Sequence, residues 1–231
     1  MRTIFWPAFL LLLLAACDNA PAPDAATSAV RSLTTAPPPE QTFRGMYRSG
    51  ASGAAFYICD SSQTYLVRDR PAGLDSLYRA ACGPAPCPDE SVYAVLRGRL
   101  ELPARPGAPG ILHLSAIDTL QPKTVYNTCL PFDFWCLGTE PFWGLFISEQ
   151  DGGFCVKIMG AERGLRFPWA APIKTASSWT YTSTHPQTGE KLRVVVRREP
   201  CSDGMSERAY DYSVEMTLGQ EVYHGCGMRN N

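Results

Sequence analysis

Residues 210–218 read Tyr-Asp-Tyr-Ser-Val-Glu-Met-Thr-Leu, and this segment has the clearest period-two pattern in the chain. Aromatic or apolar side chains at the even positions alternate with polar side chains at the odd positions. Successive side chains of a strand point to opposite faces, so the pattern predicts a strand with one buried and one solvated face.

Residues 131–231 contain further segments that predict strands. Two of them, 142–147 and 154–158, flank a turn-like Gln-Asp-Gly-Gly sequence and predict a hairpin. Two more strands are predicted at 179–182 and 191–198. We therefore expect a second, antiparallel β unit here, either a barrel or a sandwich.

Residues 42–130 predict another set of short strands. The segments 54–59 and 64–67 flank a polar turn and predict a hairpin. Later strands are expected at 92–102 and 111–117. The expected fold class is mainly β.

A single short helix is predicted between these strands, over residues 75–83. Asp75 can cap its first turn, and Gly83 can adopt the left-handed conformation that ends many helices.

The N-terminal residues predict export and lipidation. Arg2 precedes the apolar run 4–14, which ends in Leu-Ala-Ala-Cys at Cys17. This lipobox predicts a signal peptide over residues 1–16 and acylation of Cys17, with palmitate as one of the acyl chains. The apolar run is too short for a spanning helix, which needs about 20 residues.

Residues 17–41 are expected to be a disordered tether between the lipid and the folded part. They are rich in Ala, Pro, Ser and Thr, a composition that cannot bury enough apolar surface to offset chain entropy. The formal net charge is −1, so nucleic acid is not an expected partner.

The cysteines fit an oxidising compartment. The chain has nine, and eight remain once Cys17 carries lipid. An even number in an exported protein predicts four disulfides, whereas the CxxC pairs typical of zinc sites are absent from the sequence. Eight cysteines allow 105 connectivities, so spacing alone leaves the pairing open.

Two segments of the chain resemble known protein families. Residues 43–130, through Phe-Arg-Gly-Met-Tyr at 43–47 and Ala-Phe-Tyr-Ile-Cys-Asp at 55–60, resemble the C-terminal OB-like domain of the envelope lipoprotein NlpE. This implies a five-stranded OB-like barrel with one short helix, and a Cys59–Cys129 disulfide. The N-terminal metal-associated domain of NlpE has no counterpart here, so copper binding does not transfer.

Residues 134–231 resemble a family of uncharacterised bacterial envelope proteins. The shared motifs are Gly-Thr-Glu-Pro-Phe-Trp at 138–143, Cys-Ser-Asp-Gly-Met-Ser at 201–206, and the closing Gly-Cys at 225–226. The resemblance implies no established activity.

Local closure then suggests the remaining disulfides. With Cys59–Cys129 taken from the first resemblance, short loops favour three further pairs. We therefore expect no disulfide across residue 131, and independent folding of the two halves, 42–130 and 131–231. The three pairs are Cys82–Cys87, Cys136–Cys155 and Cys201–Cys226.

Titratable residues offer little sign of catalysis. Glu140, Asp203, Glu207 and Arg208 lie in or near two motif segments, and two carboxylates with an arginine could form a glycosidase-like pair. Turn roles are favoured, because Asp203 precedes a glycine and Glu140 precedes a proline. No hydrolase signature surrounds His113, His185 or His224. We expect no catalytic residue, no metal and no cofactor.

Five aromatic residues cluster where the two units meet. They could be buried and seal the units together, which is favoured, or they could be exposed interface anchors. Trp135 and Trp143, with Glu140 and Asp203, are the candidate binding residues. The five aromatics are Phe132, Phe134, Trp135, Phe142 and Trp143.

These features predict a non-enzymatic, lipid-anchored envelope protein that binds a protein or glycan partner, in envelope stress or surface sensing. A periplasmic lysozyme inhibitor is the alternative. Asp18 after the lipidated cysteine favours the periplasmic face of the inner membrane, whereas the resemblance to NlpE points to the outer membrane.

The substitution Cys17→Ser tests the lipobox. The variant should lose acylation and no longer partition with detergent. Incorporation of labelled palmitate and membrane fractionation measure both effects. Unchanged labelling and fractionation would show that Cys17 is not the lipidated residue.

Overall fold

The computed structural model of the protein describes residues 38–51 and 53–230. The predicted signal peptide, Cys17 and the tether up to residue 37 lie outside the described residues. Among the residues described, no helix is long and apolar enough to cross a membrane.

The first half is a closed five-stranded barrel with the strand order β1-β2-β3-β5-β4. Strands β3 and β5 are parallel, and the other neighbours are antiparallel. The helix lies between β3 and β4 in the chain, which matches the expected OB-like barrel with one short helix. The elements are β1 Gln41–Gly50, β2 Gly53–Ile58, β3 Gln63–Arg68, α1 Leu74–Cys82, β4 Val92–Glu101 and β5 Gly110–Gln121.

Helix α1 packs one face against the barrel. Leu74, Tyr78 and Ala81 follow the helical period and are buried there. The helix begins one residue before the prediction, because burial of Leu74 draws this residue into the first turn and leaves Gly73 as the N-cap. The prediction that Asp75 is the N-cap is therefore wrong. Gly83 follows the helix with φ 77° and ψ −168°, which is not the left-handed conformation.

The second half is one curled sheet of nine antiparallel strands, ordered β10-β11-β12-β13-β14-β6-β7-β8-β9. Near its open side, the Ser183 hydroxyl in β11 donates a 2.7 Å hydrogen bond to the Pro168 carbonyl in β9. The strands are β6 Phe134–Thr139, β7 Phe142–Ser148, β8 Gly153–Ile158, β9 Arg163–Pro168, β10 Ile173–Lys174, β11 Ser178–Thr184, β12 Lys191–Ser202, β13 Ala209–Leu218 and β14 Glu221–Met228.

Strand β13 is the segment with the period-two pattern, and its even-numbered side chains are buried as predicted. It pairs with β12 on one side and with β14 on the other. Its inward side chains belong to one core with Val194 of the neighbouring β12 and with Phe134 and Phe154 of β6 and β8.

The disulfides differ from the expected set. Cys59–Cys129 and Cys201–Cys226 form as expected. The predictions of Cys82–Cys87 and Cys136–Cys155 are wrong, because the structure joins Cys87 to Cys155 and leaves Cys82 and Cys136 as buried thiols.

Strand register explains the failure of the Cys136–Cys155 pair. Cys136 lies opposite Leu145, which lies opposite Val156, so these three side chains share the core face of the sheet. Cys155 lies opposite Phe146, and both belong to the other face with Cys87. The two cysteines therefore point to opposite faces of one sheet.

The Cys87–Cys155 bond crosses residue 131, so the prediction that no disulfide would cross it is wrong. Residues Pro37–Asn231 form one compact unit. We expected each half to fold alone as an oxidised domain with two disulfides. The structure instead joins the two halves by a covalent crosslink.

Non-reducing peptide mapping of the Cys17→Ser chain should return three crosslinked peptides, Cys59–Cys129, Cys87–Cys155 and Cys201–Cys226. Cys82 and Cys136 should react with a maleimide only after denaturation, since both thiols are buried. A Cys82–Cys87 peptide would contradict this assignment.

The double substitution Cys87→Ala/Cys155→Ala should lower the free energy of unfolding by about 4 kcal/mol, because the disulfide no longer restricts the unfolded chain.

Candidate functional site

A cleft of about 300 Å³ lies where the barrel meets the outer face of β6–β8. We call it the junction cleft. One wall is the end of α1 and the residues that follow it, 81–85, with Lys123 from the segment after β5. The other wall contains Trp135, Phe146 and Lys157. It is the kind of concave, mostly apolar site, with a few polar groups, that binds small ligands.

Lys123 carries a positive charge into this junction. Its ammonium lies 2.7 Å from the Asp151 carboxylate and donates to the Ser91 hydroxyl at 3.1 Å. The Lys123 and Asp151 side chains are 3% and 1% exposed. Burial lowers the pKa of Lys123, and Asp151 acts in the opposite direction. The ammonium also lies 3.8 Å from the centre of the Phe146 ring, which adds a cation–π contact.

A second ion pair joins the halves beside the first. Lys157 of β8 lies 2.7 Å from one Glu90 carboxylate oxygen and donates to the Cys82 carbonyl at 3.0 Å. The other Glu90 oxygen accepts from the Cys87 amide at 3.2 Å. The barrel side of the cleft is thus fixed to β8 by hydrogen bonds as well as by the disulfide.

The Cys82 thiol lines the cleft but is not activated. Burial, followed by the nearby Glu90 charge, raises its pKa to about 11, so the thiol stays protonated at neutral pH. Donor atoms of Cys87, Glu90 and Cys155 lie within 4.8 Å of one another. The two sulfurs are bonded to each other, which leaves only the carboxylate as a metal ligand.

The aromatic cluster is divided between three environments. Phe134 and Trp143 are buried in the core of the second sheet, whereas Phe142 is 53% exposed. Phe132 and Trp135 are partly buried and pack with Phe146 against the Cys87–Cys155 crosslink. Of the two tryptophans proposed for binding, Trp135 lines the junction cleft.

Trp143 has a structural environment. Its indole N–H donates to the His224 carbonyl at 3.1 Å. A Cβ at Gly138 would lie 2.0 Å from the indole nitrogen, and a Cβ at Gly225 would lie 2.0 Å from the Leu137 carbonyl oxygen. The glycines of two sequence motifs therefore let β6 and β14 close around this side chain.

Asp203 organises an exposed loop. Its carboxylate accepts from the backbone N–H groups of Ser206 at 2.8 Å and Met205 at 3.0 Å, and from the Ser206 and Tyr210 hydroxyls. The N–H and hydroxyl of Ser206, followed by the N–H of Met205, lower the pKa of Asp203 to about 2. The predicted turn role of Asp203 agrees with these contacts.

The two motif segments meet at this loop. The Thr139 hydroxyl donates to the Asp203 carbonyl at 3.0 Å, which places the segments of the two proposed carboxylates at the same end of the sheet. Glu140 is exposed in the turn between β6 and β7. Because the oxygens of Asp203 hold its own loop, this carboxylate is not free to serve as an acid or base.

An exposed surface lies beside the loop, where Arg208 meets Tyr126, a contact that the sequence did not predict. The Arg208 guanidinium donates to the Tyr126 hydroxyl at 3.0 Å and lies 5.3 Å from the centre of the Tyr210 ring. Tyr126 is 83% exposed and Met205 is 69% exposed. We call these four residues the arginine–tyrosine surface. Tyr126 follows β5 in an irregular segment that gave no sequence signal.

The surface histidine His113 bridges two carboxylates. Its Nδ1 lies 2.6 Å from Asp69, and its Nε2 lies 2.8 Å from Glu101. These hydrogen bonds, with Glu101 first, raise the pKa of the exposed His113 ring. The contact joins the ends of β3, β4 and β5.

Comparison of this chain with protein-family models, with curated proteins and with solved structures gave no match. The closed barrel is compatible with an OB-like fold.

The Asp203 carboxyl should titrate near pH 2, whereas an unfolded Asp titrates near 3.9. The free energy that this lowered pKa adds to folding is fully present at pH values above the pKa of unfolded Asp. It is lost as the pH falls through about 2. Carboxyl-detected NMR between pH 1 and 6 measures the midpoint, with Asp118 as a comparison carboxyl. An Asp203 midpoint near 4 would contradict the role of this side chain in the loop.

Proposed function

We propose that this chain is a lipid-anchored envelope protein that binds a protein partner and acts by binding rather than by catalysis. The arginine–tyrosine surface is the observation that carries the proposal. It combines an exposed Tyr126, an exposed Met205 and the Arg208 guanidinium, and these residue types are enriched at protein interfaces. The hydrogen bonds of Asp203 order the loop before binding, which reduces the entropy lost on association.

Sequence features support the envelope setting of this proposal. The lipobox at Cys17 and the tether would hold the folded unit at a membrane surface, on the inner membrane if Asp18 acts as a retention signal. The OB-like barrel is compatible with the resemblance of residues 43–130 to the C-terminal domain of NlpE, and a role in stress or surface sensing follows from that resemblance.

The environments of the histidines support binding over catalysis. Within the described residues, the His113 ring forms hydrogen bonds only with the Asp69 and Glu101 carboxylates, and the His185 ring accepts from the Thr188 amide. Neither pairs with a serine or cysteine side chain as a nucleophile–base arrangement requires.

Site-specific photo-crosslinking in intact cells tests the proposal. A photoreactive phenylalanine at Tyr126 or Met205 should capture one defined protein, and the crosslink should disappear when Arg208→Ala is added. Arg105→Ala, which removes an exposed arginine of the barrel, is the matched control and should leave the crosslink intact.

A probe at the exposed Ile173 of β10 reports random encounters. Equal crosslinking from Ile173 and from Tyr126, or a product that survives Arg208→Ala, would refute the arginine–tyrosine surface. Capture of a glycan rather than a protein would change the partner class.

Lysozyme inhibition is the second candidate, and the same loop favours it. An inhibitor needs a rigid loop that presents a polar side chain, and a lysozyme active site contains two carboxylates that an arginine could pair with. A turbidity assay with lysozyme, with Arg208→Ala as the comparison, separates the two functions. If the unaltered chain does not protect cells from lysozyme, inhibition is excluded.

A further inference from the structure

The junction cleft lies beside an unbalanced group of charges. In the part of the chain that the structure describes, three cations, Lys123, Lys157 and Arg166, meet two carboxylates, Glu90 and Asp151. All five side chains are less than one-fifth exposed. The group therefore carries one surplus positive charge. Buried charge without a counterion is unfavourable, so the junction as a whole favours a further anion.

On the wall of the cleft itself, one hydrogen-bond donor remains for such an anion. The Arg166 Nη2 atom is also buried without a partner, but Arg166 does not line the cleft. An ammonium has three N–H donors. Those of Lys123 point to Asp151, Ser91 and the Phe146 ring. Lys157 uses two, to Glu90 and to the Cys82 carbonyl, and its side chain lies on the wall of the cleft. The third donor of Lys157 is available to a ligand.

Gly144 makes the space beside this donor. It lies directly opposite Lys157 in the β7–β8 pair, on the same outer face as Phe146. A Cβ placed on Gly144 would meet no atom within 4 Å, so the missing side chain leaves open volume in the cleft. Any larger residue at this position would fill that volume.

The rest of the lining is apolar. Trp135, Phe146 and Met159 form the wall from the second half, and Ala81 and Pro84 face them from the barrel side. A volume of about 300 Å³ is at the small end of ligand sites. It holds roughly ten non-hydrogen atoms, the number in octanoate, if each takes about the volume of one water molecule.

We propose that the junction cleft binds a small amphiphilic carboxylate, such as a medium-chain fatty acid, with its head on Lys157 and its tail beside Gly144 and Phe146. This site is separate from the arginine–tyrosine surface and does not depend on the proposed partner. The bound carboxylate would balance the surplus positive charge of the junction.

Calorimetric titration of the full chain with octanoate, below its micellar concentration and at pH 7, tests the proposal. Octanoate should bind with one-to-one stoichiometry. The uncharged 1-octanol should bind at least roughly tenfold more weakly, because it lacks the charge-assisted hydrogen bond to Lys157.

Gly144→Leu fills the cleft and should abolish octanoate binding. Gly160→Leu is the matched control, because a Cβ there also meets no atom within 4 Å and Gly160 does not line the cleft. Circular dichroism and formation of the Cys87–Cys155 crosslink report folding of each variant.

The double substitution Glu90→Gln/Lys157→Met removes the ion pair without leaving a buried charge. It should remove the preference for octanoate over octanol. The proposal is overturned by equal affinity for octanoate and octanol, by octanoate binding that survives in folded Gly144→Leu, or by no binding to the unaltered chain.

Discussion

Lys123 follows the last strand of the barrel, and its ammonium lies 2.7 Å from the Asp151 carboxylate of the second half. Both side chains are almost fully removed from water, so each charge depends on the other for compensation. Loss of one partner from such a buried pair costs about 3–5 kcal/mol, whereas an exposed pair contributes about 0–1 kcal/mol. This contact therefore constrains the position of the barrel against the sheet, together with the Glu90–Lys157 pair and the Cys87–Cys155 crosslink.

The strands β6–β8 serve both halves because a sheet has two faces. Leu145 and Val156 point into the core of the second half, and Phe146 and Cys155 point to the barrel. Gly144 belongs to the second set, and its missing side chain opens the junction cleft instead of completing the contact. An outer sheet face that would otherwise be solvated is thus covered by the barrel, apart from one small apolar space with a lysine at its side.

Local patterns in the sequence predicted much of this fold. The hairpins β2–β3 and β7–β8 and the alternation of β13 depend on neighbouring residues, and they agree with the structure. The turn at Asp203 was also predictable, because an Asp before Gly bonds to its own loop. Cys136 and Cys155 were paired wrongly, because sequence distance does not reveal that register sends them to opposite faces.

By itself the sequence determined where most of the strands and turns lie, because backbone conformation follows from side-chain periodicity and turn residues within a few positions. Only the tertiary structure decided which distant groups meet. Tyr126 and Arg208 are 82 residues apart, and Lys123 and Asp151 are 28 residues apart. Such contacts depend on how the two halves pack, and side-chain burial in that packing, not residue type, decides which charges must be paired.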